Sequence, residues 1–209
     1  RLRGTDRFGG WSAFTPFYIC GNTGALHSYS TSRWARAGLY RPTEEPARWF
    51  TIRPGLADIQ PVVRLEMEQW GWARLHLSLG AQTACVALSQ VFDPFFELLA
   101  WSREIDEGDL PVAMEIDEEG SHVALTVLRT DDPARVLLRV VRSWKSTLLL
   151  EGIVSRATLA EALKTEMVRF FTSEFDPQHW DLGGDPDHEE GYMPVRETVL
   201  NHPWLTSTQ

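Results

Sequence analysis

Long apolar runs are missing from this chain of 209 residues. None approaches the ~20 residues that a membrane-spanning helix needs, so no membrane partner is expected. Cysteine is scarce, with only Cys20 and Cys85. Two cysteines make no disulfide framework, and the expectation is a reduced, cytoplasmic protein. Cys85 falls within an apolar strand pattern and reads as a small buried residue. Basic charge is also in short supply: 20 Lys and Arg stand against 29 Asp and Glu, a net charge of -9. Binding nucleic-acid phosphates needs a concentrated basic surface. Here the basic residues are scattered, with mild groupings only at Arg1/Arg3/Arg7 and Arg135/Arg139/Arg142. No nucleic-acid partner is expected, whereas an acidic surface attracts and steers a basic protein. There is no phosphate-cradling glycine loop and no dinucleotide fingerprint, and Ser143, Ser146 and His122 stand in no nucleophile elbow. No cofactor and no catalytic residues follow from motifs.

Tryptophan, by contrast, is abundant, with nine residues. Trp72, Trp101 and Trp144 fall where packing explains them. Trp11, Trp34, Trp49, Trp180 and Trp204 lie in segments of little periodicity and are candidates for covering or contacting something, since aromatics are enriched at interfaces.

Three regions follow from the patterning. Residues 1–60 are irregular and rich in Gly, Ser, Thr and Pro. Phe14 to Cys20 reads as a short strand and Thr43 to Pro46 as a turn or short helix. Residues 61–181 form an α+β core. Val63, Leu65 and Met67 alternate with Arg64, Glu66 and Glu68, and Ala73, Leu75, Leu77 and Leu79 alternate with Arg74, His76 and Ser78. Period two means strands with one wet face, and short connections mean an antiparallel meander. Further strands are expected near 82–91, 111–117, 123–127, 136–141 and 147–154. Asp93-Pro94 opens a helix whose apolar stripe is Phe95, Leu98, Leu99, Trp101 and Ile105, ended by Gly108. Thr158 with Glu161 reads as a capping box for a second helix bearing Leu159, Leu163, Met167, Phe170 and Phe171. The expected fold is one mainly antiparallel, twisted sheet of about six to seven strands with two helices packed on one face. Residues 182–209 read as an acidic, turn-rich tail, disordered past Pro203.

The densest set of possible metal ligands is His179, Asp181, Asp185, Asp187, His188, Glu189 and Glu190. Asp185, Asp187 and Glu189 mimic positions one, three and five of a calcium loop. Glu190 stands where that loop needs Gly, however, and Arg196 where it needs a bidentate Glu. A solvated acidic loop without metal is the expectation. Glu66, Glu68, Arg74 and His76 come to one face of the first hairpin. They serve either as cross-strand ion pairs or as an acid–base site. No nucleophile or cofactor motif accompanies them, which favours pairing.

Two resemblances bear on function. Ser30-Thr31-Ser32 followed by Glu66-Met67-Glu68, with Arg3 or Arg7 upstream, resembles the three-part signature of mono-ADP-ribosyltransferases. That resemblance implies that Arg7, Ser30 and Ser32 hold NAD and that Glu66 and Glu68 complete the site, Glu68 stabilising the ribosyl cation. The arginine lies closer to the serine motif than the pattern wants. Over residues 93–180, Asp93-Pro94-Phe95, Leu98 to Trp101, Gly108 to Pro111, Ile116 to Gly120 and Phe175-Asp176-Pro177 with Trp180 resemble small acidic bacterial proteins, some of immunity-protein type. This second resemblance implies a non-enzymatic toxin inhibitor that masks the active site of a basic toxin. Its partner-binding residues would be Glu118, Glu119, Trp180, Asp185, Asp187, Glu189 and Glu190. It is the reading the sequence favours, with the transferase as the alternative.

Overall fold

A computed structural model describes residues 59–180 and 195–207. Strand β1 (Pro61–Met67), β2 (Trp72–Leu79) and β3 (Gln82–Ser89) form an antiparallel meander. Its register sets Leu65 opposite Leu75 and Leu75 opposite Val86, so the alternating apolar residues share one buried face. Helix α1 (Phe95–Glu107) follows and ends at Gly108, whose φ of 78° suits the residue without a Cβ. Strand β4 (Val112–Asp117), β5 (His122–Arg129), β6 (Arg135–Arg142) and β7 (Thr147–Ser155) make a second antiparallel meander. Helix α2 (Arg156–Ser173), the short α3 (Pro177–Trp180), α4 (Val195–Leu200) and α5 (Pro203–Thr206) complete the described chain. The two long helices pack on each other, α2 against β1 and α1 against β4. None of the described helices is long and apolar enough to cross a membrane.

The α+β class and the antiparallel pairing hold, but the single sheet does not. There are two sheets, of three and four strands. The reason lies at the outer edge of β3, where side chains take the place of a neighbouring strand. The Gln82 amide donates to the Glu151 carbonyl and accepts from the Glu151 N–H, both at 3.2 Å. The Ala87 N–H donates to Glu118 Oε1 at 2.9 Å, and the Cys85 carbonyl accepts from Arg142 at 3.3 Å. Each satisfies a backbone group that would otherwise be orphaned. At this seam Leu79 lies so close to Gly152 that a Cβ built there would sit 2.8 Å from Leu79 Cδ1. Gly152→Ala therefore overpacks a site that is buried on the Leu79 side, and should cost about 1–3 kcal/mol in a urea titration. An unchanged midpoint would show that Leu79 moves freely.

The opposite edge, on β1, is closed in the same manner by α2. The Leu65 N–H donates to Glu166 Oε1 at 2.6 Å, and the Met67 N–H to Glu174 Oε1 at 3.0 Å. The Leu65 carbonyl accepts from Arg169 at 2.6 Å. Arg169 also bonds Glu166 and Glu174, and Arg64 reaches Glu174 at 3.1 Å.

Three local expectations change. Ser155, not Thr158, caps α2: its hydroxyl accepts from the Thr158 N–H at 3.3 Å. The helix starts earlier because β7 runs directly into it. Residues 195–207 are not a loose tail. Val195, Val199, Trp204 and Leu205 are buried in the common core, drawn in by their apolar spacing, and Trp204 Nε1 donates to Asp106 at 2.9 Å. Cys85 is exposed rather than buried, because the inward position of the pair falls on Ala84.

Candidate functional site

The hairpin face predicted from the sequence is assembled. Glu66 lies 3.6 Å from Arg64 and 3.4 Å from His76, and Glu68 bonds Arg74 at 2.9 Å. Each carboxylate thus has its own cation. Cys85 is the cross-strand partner of His76, which the sequence reading missed because it placed that thiol in the core. No hydrogen bond among the described residues joins the two side chains. Arg7, Ser30 and Ser32, which the transferase pattern requires, lie outside the described residues. So do Asp185, Asp187, Glu189 and Glu190 and the short strand and turn expected at Phe14–Cys20 and Thr43–Pro46. Among the described residues no group of three or more His, Cys, Asp or Glu is placed to hold a metal ion.

The other expected contact residues are engaged inside the fold. Glu118 holds Arg142 by two bonds, at 2.9 and 3.1 Å, and also accepts from Ser121 and from the Ala87 N–H. Burial pushes its carboxyl up, but those donors outweigh it and hold the group below the usual carboxylate range. Glu119 takes a hydrogen bond from the Ser89 hydroxyl. Trp180, expected to be exposed, is only 1% accessible. Its ring packs 4.8 Å from Phe95, within a cluster that also holds Phe170, Phe171 and Phe175. The four-residue α3 turns the indole inward, and no periodicity longer than one turn signals that in the sequence.

A different set of large apolar side chains, most of them aromatic, faces solvent. Trp70 is 72% exposed, Val91 71%, Phe92 51% and Phe96 38%. Backbone bonds tie their segments to one another. The Gln90 N–H donates to the Gly71 carbonyl at 2.8 Å, and the Gly71 N–H to the His179 carbonyl at 2.7 Å. The Asp93 N–H then donates to the Gln90 carbonyl at 3.2 Å, which leads the chain past Val91 and Phe92 into α1 and Phe96. Two non-glycine residues here take left-handed backbone, Trp70 at φ 64° and Asp93 at φ 34°. A bulky residue in that region is strained, and strain of this kind gathers at functional sites. Exposed apolar side chains gathered on neighbouring segments are a mark of an interaction site.

Three comparisons were made, with protein-family models, with curated protein sequences and with solved structures, and nothing matches this chain in any of them.

Proposed function

We propose that this is a non-enzymatic binding protein whose partner is a basic protein, and that it acts in the manner of a bacterial immunity protein by masking a cationic site on a toxin. The exposed cluster Trp70, Val91, Phe92 and Phe96 carries this reading. Such side chains are the typical anchors of protein interfaces. The net charge of -9 supports a cationic partner, since opposite charge speeds encounter and excludes wrong partners. The pairing of Glu66, Glu68 and His76 with neighbours supports a structural role for the hairpin face considered for acid–base chemistry.

The test is affinity purification of the tagged protein from its native host in mild salt. A stoichiometric partner of high isoelectric point is expected, and it should be lost from Trp70→Ala and Phe92→Ala, which leave the core intact. A hot-spot aromatic is worth about 2 kcal/mol or more, roughly thirtyfold in affinity. Recovery of no partner, or of one indifferent to both substitutions, would count against the reading.

A further inference from the structure

Many of the described arginines are paired with a carboxylate: Arg64 with Glu174, Arg74 with Glu68, Arg103 with Glu107, Arg139 with Glu151, Arg142 with Glu118 and Arg169 with Glu166. Arg129 and Arg156 are not among these, and both line a cavity of about 470 Å³. Its wall carries three arginines, Arg129, Arg135 and Arg156, and a single carboxylate, Asp131. They come from three places: Arg129 from the end of β5, Arg135 from the start of β6 and Arg156 from the first turn of α2. In a chain that is acidic as a whole, this concentration of guanidinium groups is the exception.

The wall is fixed in advance. Thr130 is buried, and its hydroxyl lies 2.8 Å from the Asp132 carbonyl and 2.9 Å from that of Arg135, which ties the β5–β6 turn. The Arg156 N–H donates to the Ala134 carbonyl at 2.9 Å, which joins that turn to α2. Asp132 is turned to the backbone, accepting from the Ala134 N–H at 2.9 Å, and so does not neutralise the cavity. Arg156 Nη1 donates to the Ile105 and Asp106 carbonyls at the end of α1, which holds the guanidinium in place while its remaining donors stay available. Among the described residues no carboxylate is bonded to Arg156, and the side chain of Arg129 makes neither an ion pair nor a hydrogen bond, its backbone being held by the ladder with Val136. The positive end of the 18-residue α2 adds to the field.

We propose that this cavity binds a small phosphate-type dianion, with Arg129 and Arg156 as its ligands and Arg135 beside them. Guanidinium forks match phosphoryl oxygens, and a tetrahedral dianion accepts from several directions where a planar carboxylate fills one fork. The volume suits a small molecule, and the site is separate from the exposed aromatic cluster. The proposal therefore stands independently of the partner reading.

The test is calorimetric titration of the full chain with inorganic phosphate at low ionic strength, with succinate as a dicarboxylate of equal charge. One saturable phosphate site per chain is expected. Arg129→Ala should weaken it by about tenfold or more, because a hydrogen bond to a charged group is lost. Arg129→Lys, which keeps the charge but not the fork, should fall between the two. Arg74→Ala removes the same charge from a carboxylate-paired position and should leave the affinity unchanged. Absence of saturable binding, binding undiminished in Arg129→Ala, equal loss in Arg74→Ala, or succinate bound as tightly as phosphate would overturn the proposal.

Discussion

Glu166→Ala is expected to destabilise the fold by about 3 kcal/mol, which for a chain of this size lowers the melting temperature by roughly 6–12 °C. Glu166 is only 7% exposed and does two things at once. Its Oε1 receives the Leu65 N–H at 2.6 Å, and both its oxygens bond Arg169. Truncation leaves a strand N–H without an acceptor, and takes from the Arg169 guanidinium the carboxylate that chiefly favours its charged form, leaving it Glu174 and the Leu65 carbonyl. Glu166→Gln keeps an acceptor for Leu65 and should cost clearly less. If both variants melt with the wild type, the network is surface decoration. Glu174, in the same cluster, adds a pH dependence. Burial raises its carboxyl, but Arg169, the Met67 N–H and Arg64 prevail and lower it. A lowered folded-state value means stability that is present above the unfolded-state value and is lost as pH falls through the folded one. Acid should therefore loosen the contact between β1 and α2.

Asp93→Asn is expected to act in the other direction, raising stability at pH 7 by about 1–3 kcal/mol. Burial pushes the Asp93 carboxyl up to about 6 from 3.8, with the Phe95 N–H only partly countering it. Its Oδ1 is buried and has no hydrogen-bond partner among the described residues. The unfolded chain ionises near 3.8 and the folded one near 6, so between those values the folded state binds more protons. Stability then falls as pH rises through this window, and the full penalty persists above it. Asparagine abolishes the penalty and also tolerates the left-handed backbone at φ 34°. The gain should shrink to nothing by about pH 3.5, below both values. Urea titrations at the two pH values check this, and a gain independent of pH would refute the cause assigned here. A carboxylate that opposes folding, beside an exposed aromatic cluster, fits a surface kept for a purpose other than stability.

Much of the architecture was legible because β-strand alternation and helical stripes are local signals. The registers that set Val63 against Leu77 and Leu125 against Val140, and the stripe Phe95, Leu98, Leu99 and Ile105, follow directly from spacing. The break between the sheets was not legible, because it depends on where Gln82, Glu118 and Arg142 direct their side chains, and pairs 24 to 69 residues apart leave no periodic trace. The hairpin ion pairs were readable because cross-strand neighbours follow from alternation. The solvent-facing aromatics were not. Trp70 sits in a turn and Phe92 in a connection, where sequence offers no face to assign, and Val91, expected within the strand 82–91, lies past the strand's end at Ser89, while the isolated-looking Trp180 and Trp204 found cover in the core. The arginine cavity joins a strand end, a strand start and a helix start, which only the tertiary fold brings together.

The closure of both rims of the β1–β2–β3 sheet by side chains limits how the protein can associate. A partner cannot lengthen that sheet by laying a strand along Leu65 and Met67, or along Cys85 and Ala87, because carboxylates and guanidinium groups already occupy those positions. The same occupancy makes this sheet a poor template for fibre growth, since an amyloid-forming chain would first have to evict five charged side chains, Glu166, Arg169, Glu174, Glu118 and Arg142.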